Sequence, residues 1–152
     1  MKKLLVLGSF LLLCCAVNAQ TTNPNYDEAL ARSLGADDYG MKSYIFVILK
    51  TGPNQIADKE KVNDLFKGHL DNINKLANEG KLVVAGPFGK NDRSYRGLFI
   101  LNAKSFEEAN ELLKTDPAVK EKLLDVELYN WYGSAALSEY LKAHKKIEKK
   151  SF

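Results

Sequence analysis

GHLDNINKLANEGKLVVAGPF, residues 68–88, contains the change of period on which the fold turns. Its first half continues an apolar stripe at three- and four-residue steps: Val62, Leu65, Phe66, His69, Leu70, Ile73, Leu76 and Ala77. That spacing predicts one buried face of a helix. Asp58 is a fitting N-cap ahead of it, and Gly80 a fitting stop behind it. Leu82–Ala85 then reads as a short buried strand, closed by Gly86-Pro87-Phe88. One residue breaks the stripe. His69 is polar and titratable where the pattern asks for a hydrocarbon.

Working outward, YIFVIL at 44–49 is rich in aromatic and β-branched residues and predicts a first strand, broken by Thr51-Gly52-Pro53-Asn54. Gly89-Lys90-Asn91-Asp92 is turn chemistry, and a third strand follows over Tyr95–Leu101. Ser105 with Glu108 has the spacing of a capping box, and Phe106, Ala109, Leu112 and Leu113 give the helix behind it an apolar side. Asp116-Pro117 ends or kinks that helix. A turn leads to a fourth strand over Val126–Tyr132, and Ala136, Leu137, Tyr140, Leu141, His144 and Ile147 sketch a C-terminal helix. A short helix over Tyr26–Leu34, ended by Gly35, precedes the first strand. The order βαββαβ plus a trailing helix is the ferredoxin-like α+β plan.

The strands YIFVIL, LVVA and LFIL are continuous apolar runs, which implies burial on both sheet faces. Two crossover helices cover one face only. The other calls for a second copy, sheet against sheet in a homodimer, or for the C-terminal helix folded back.

The chain begins with Lys2 and Lys3, an apolar run from Leu4 to Val17, and Asn18-Ala19-Gln20. This describes a secretory signal peptide cut after Ala19. The run falls short of the ~20 apolar residues of a membrane span, so no stable insertion is expected after cleavage. Leu13 before Cys14, and Cys14 before Cys15, are not the small residue that lipid attachment takes. The expected organisation is signal peptide 1–19, leader 20–41, core domain 42–133 and C-terminal helical extension 134–152. Export, periplasmic or extracellular, removes both cysteines, so an ordinary core must hold the chain without disulfides. Losing Lys2 and Lys3 also lowers the net charge from +3 to +1, which speaks against nucleic acid as a partner. The lysines at 142, 145, 146, 149 and 150 read as a solvated helix face.

Few residues could carry chemistry. A phosphate loop ending at Gly89-Lys90 fails, because Val84 and Asn91 stand where it needs glycine and Ser or Thr. His69 and His144 are the only imidazoles, with no ligand spacing around them, so neither a metal nor a cofactor is expected. His69 reads either as a core histidine satisfied by a hydrogen bond or as a general acid or base, a role imidazole suits because it titrates near neutrality. A base needs an orienting carboxylate, and Asp116 is a candidate that spacing alone cannot bring to it.

Several stretches together carry a resemblance: His69-Leu70, Glu79-Gly80-Lys81-Leu82, Ala85-Gly86-Pro87-Phe88, Gly97-Leu98-Phe99-Ile100, Glu108-Ala109, Asp116-Pro117 and a strand ending at Trp131. Over about Lys42 to Tyr132 the chain resembles the YCII-related (YciI-like) family. The resemblance implies a dimeric α+β barrel and matches His69 and Asp116 to the family's His-Asp pair. A dehydrochlorinase of a chlorinated aromatic is among the family's branches. The chain departs from its relatives in its signal peptide, and in Asn130 where they usually have proline. A pocket at His69 is then expected, with Gly86 and Pro87 at its rim and Phe88 and Trp131 as apolar wall. It would serve either a cofactor-independent lyase- or isomerase-like enzyme acting on a small molecule, an aromatic one among the candidates, or a non-catalytic small-molecule-binding or structural module that keeps the same pocket.

Overall fold

The computed structural model describes residues 23–150, so the expected signal peptide lies outside the described residues. The elements run α1 (Glu28–Leu34), β1 (Met41–Thr51), α2 (Lys59–Asn78), β2 (Leu82–Pro87), β3 (Tyr95–Leu101), α3 (Phe106–Leu113), α4 (Pro117–Lys120) and β4 (Leu124–Ser134). A 3-10 turn (Ala135–Glu139) and α5 (Tyr140–Ile147) follow. The four strands form one antiparallel sheet in the order β2-β3-β1-β4, the ferredoxin-like arrangement.

Local chemistry sets the helix ends. The Asp58 carboxylate accepts from the backbone N–H groups of Glu60 and Lys61 at the start of α2. Gly80 takes the left-handed φ of 68° just past its end. Ser105 Oγ accepts from Glu108 N, while Glu108 reaches back to Lys104 N and also pairs with Lys81 at 3.0 Å. This couples the start of α3 to the start of β2.

Alternation along β1 splits the sheet into two faces. Ile45, Val47 and Leu49 turn to the helices and pack with Leu76, Leu82, Phe99, Leu101 and Leu113 as the main core. Tyr44 turns to the second face with Val83 and Ile100, beside half-buried Phe46 and Leu98. Leu137 of the C-terminal segment packs on this second cluster, and the Tyr140 hydroxyl donates to Val83 O at 2.7 Å. The segment expected as one helix from Ala136 is a 3-10 turn first, because Ser134 and Ala135 leave β4 directly and must bend across the sheet. On the N-terminal side, Asp37 accepts from the N–H groups of Tyr39 and Met41 and from the Tyr132 hydroxyl, tying the leader to β4.

Candidate active site

Two helices on the same sheet face bring the site together. His69 lies on the inner face of α2, its ring stacked on Phe99 of β3 at 5.9 Å between centroids and edge-on to Phe66. Asp116 is the N-cap of α4, wholly buried, with its Oδ1 accepting from Ala118 N at 2.9 Å and Val119 N at 3.4 Å. Its other oxygen, Oδ2, is 2.5 Å from His69 Nδ1. A carboxylate only accepts, so the proton of this bond belongs to Nδ1, and the neutral ring keeps its lone pair on Nε2. Charge-assisted bonds of this kind are short and fix ring orientation as well as tautomer.

His69 forms part of the wall of a cavity of about 290 Å³. Leu49, Leu70, Ile73 and Leu124 supply hydrocarbon wall, with the rings of Phe66 and Phe99. Ala85, Gly86 and Pro87 of β2 line it together with Gly97. Gly97 has no room for a side chain: an added Cβ would stand 2.7 Å from Gly86 O. The lining carries just two ionisable side chains, His69 and Arg96. Such a hollow, apolar with a few convergent polar groups, is the usual form of a small-molecule site. Among the described residues no three His, Cys, Asp or Glu side chains gather as metal ligands would.

The model of the YCII-related domain matches residues 44–132. The chain belongs to the YCII-related family. Among curated proteins none matches it. Among solved structures, it is similar to the 5-chloro-2-hydroxyhydroquinone dehydrochlorinase TftG from Burkholderia phenoliruptrix AC1100, in complex with 2,5-dihydroxybenzoquinone. Identity is 23%, covering 57% of this chain and 92% of that one, with a TM-score of 0.40.

In this YCII-related chain the residues expected at the pocket divide into two groups. His69, Asp116, Gly86 and Pro87 come together. Phe88 and Trp131 are absent from the cavity lining. Phe88 lies past the end of β2 and leans on Tyr95 at 6.3 Å. Trp131 pairs opposite Tyr44 on the β1–β4 ladder, and so shares Tyr44's face of the sheet, away from the helices. Its indole sits 5.7 Å from the Tyr44 ring and lies over Gly133, where an added Cβ would be 2.1 Å from Cη2.

Three further residues of the YCII-related fold shape the site without having stood out in the sequence. Gly68 lets α4 approach α2. Asn72, one turn beyond His69, bonds through Oδ1 to the Thr115 hydroxyl at 2.9 Å, which holds the residue before Asp116 against α2. Arg96 reaches the cavity from β3. A polar residue three positions after His69 was a readable signal for Asn72. The placing of Arg96 depends on strand pairing and had no local signal.

Proposed function

We propose that the protein is a cofactor-independent acid–base enzyme, lyase- or isomerase-like, acting on a small molecule with an aromatic or otherwise planar body. One observation carries this reading. His69, bonded through Nδ1 to Oδ2 of the fully buried Asp116 at 2.5 Å, forms part of the wall of an apolar cavity rather than being sealed in the core. In the proposed step, Nε2 of His69 takes a proton from the substrate, and the electron pair of the broken C–H bond moves into an adjoining carbonyl or ring. In an elimination that pair expels a leaving group. In an isomerisation the imidazolium returns its proton at another carbon. Asp116 keeps the ring in the productive tautomer and stabilises the imidazolium that forms, as the carboxylate of a catalytic triad does.

The test is turnover in D₂O with a panel of enolisable and halogenated aryl compounds, followed by proton NMR. Deuterium incorporation or leaving-group release is expected from the wild type and not from His69→Gln, whose fold should survive. Turnover retained in His69→Gln would falsify the acid–base role. Ligands that bind without turning over, and bind equally to His69→Gln, would instead identify a binding module.

Export with cleavage after Ala19 is part of the same proposal, supported by the Lys2 to Ala19 pattern. Intact mass of the protein recovered from its native envelope should lack residues 1–19 and carry no lipid.

A further inference from the structure

We propose that Arg96 makes this cavity a site for small planar anions, with an aromatic or conjugated body and one carboxylate, enolate or phenolate group held by the guanidinium. The inference rests on the reading of the cavity as the working site and adds the charge of what enters it.

Arg96 should not face the helices. Along β3, Phe99 and Leu101 point to the helix side and Ile100 to the second face, so strict alternation would place position 96 with Ile100. The ladder with β1 is broken at this point. Leu49 pairs with Gly97, but Lys50 pairs with Tyr95, which leaves Arg96 as the extra residue of a β-bulge. A bulge of this kind re-aims a side chain, and bulges gather beside active sites for that reason. Two observations place the guanidinium on the helix side. Arg96 lines the cavity, and its Cζ lies 5.9 Å from the centre of the Phe66 ring on α2.

The adjoining loop holds the bulge in place. Asn91 grips Tyr95, the residue before the bulge, with one amide: Nδ2 donates to Tyr95 O at 2.8 Å, and Oδ1 accepts from Tyr95 N at 3.1 Å. Phe88 N donates to Arg96 O at 2.9 Å from the β2 side. The backbone around Arg96 is thus fixed on both flanks before any ligand arrives.

The charge of Arg96 has no carboxylate partner among the described residues, and Asp116 is committed to His69. The Phe66 face beneath it offers a weak cation–π contact and no hydrogen-bond acceptor. A guanidinium remains protonated at any working pH and presents a planar fork that fits two oxygens. Phe66 is edge-on to His69 and beneath Arg96, so the cation and the imidazole bracket one aromatic ring. A planar ligand laid along Phe66 would meet the guanidinium at one end and His69 at the other. If a proton is removed from that ligand, the charge that develops falls within the field of Arg96.

The probes are benzoate and salicylate against their neutral isosteres, benzamide and salicylamide, titrated into the purified protein at constant ionic strength and followed by NMR. Arg96 is exposed at the edge of the cavity, so water screens the pair, and a preference of about two- to fivefold for the acids is expected. Arg96→Gln should abolish that preference, weakening the acids more than the amides. Arg96→Lys, which keeps the charge and loses the fork, should fall between. Lys90→Gln, which removes a cation from the exposed loop, should retain the full preference. Equal binding of acids and amides by the wild type overturns the proposal, as does binding of neither. A preference that survives Arg96→Gln and vanishes in His69→Gln would assign the charge to the imidazole and overturn it as well. Binding preference is read without turnover, so failure here and failure of the acid–base reading are separately visible.

Discussion

Gly68 on α2 and Pro117 on α4 meet between the two helices that build the site. A β-carbon at Gly68 would stand 2.6 Å from Pro117 Cγ. Gly68 precedes His69 and Pro117 follows Asp116, so this contact sets how near the imidazole and the carboxylate can come. Gly68→Ala should push α4 outward, destabilise the fold by ~1–3 kcal/mol as overpacking does, and lengthen the His69–Asp116 bond. Urea melts and amide chemical shifts of Ala118 and Val119 would check this. Unchanged shifts at these two amides would mean that the helices have room to spare.

Asp116 has two duties that can be separated. Its Oδ1 caps α4 and its Oδ2 holds His69. Asparagine caps a helix about as well as aspartate, so Asp116→Asn should cost little through the cap, yet it removes the charge facing His69. Asp116→Ala removes both and leaves a buried ring nitrogen unpaired. It should cost ~1 kcal/mol for the cap and a further ~1–3 kcal/mol for the orphaned donor. Any activity found should fall in both variants, while denaturation midpoints drop steeply only in the alanine. Equal stability losses would show that the charge on Asp116, not its cap, holds the fold.

How much of this was legible in the sequence follows from how local each signal is. The period of α2, its Asp58 cap and the Ser105–Glu108 box act within one or two turns, and they stand where the residues indicated. β4 is longer than its apolar run because Leu124, Gly133 and Ser134 are held by pairing to Thr51, Lys42 and Met41, not by their own propensity. α4 escapes detection because four residues cannot display a helical period, and its cap, Asp116, looks like the end of α3. Trp131, expected as pocket wall, faces away from the cavity, because a strand's facing is set by register against its neighbour. Arg96 is hidden for a related reason, since its bulge exists only in the pairing of β3 with β1.

Acid should loosen the leader. The Tyr132 hydroxyl, then the Met41 N–H, hold the Asp37 carboxyl below its ordinary value of 3.8. A carboxyl with a lowered folded pKa contributes stability that is fully present above the ordinary value and lost as pH falls through the folded one. Asp37→Asn should therefore melt below the wild type at neutral pH, and the gap should close in strong acid. Thermal melts of both proteins from pH 7 down to about 2 would test this linkage. A gap that stays constant into acid would mean that ionised Asp37 contributes nothing through Tyr132.

We propose that a second copy covers what the C-terminal segment leaves open on the second sheet face. Leu137 packs on the cluster of Tyr44, Val83 and Ile100, and Tyr140 reaches Val83 on β2. Toward the β4 edge, Trp131 remains 37% exposed and Tyr129 49%, beside half-buried Phe46. Large aromatic side chains grouped on one face favour a partner surface over water. Light scattering should give twice the chain mass at micromolar concentration. Trp131→Glu would place a charge in the middle of that contact without touching the main core, and should yield monomer that keeps its fold and its ligand preference. If the wild type is itself monomeric at these concentrations, the dimer is wrong, and the 3-10 turn with α5 is all that covers this face.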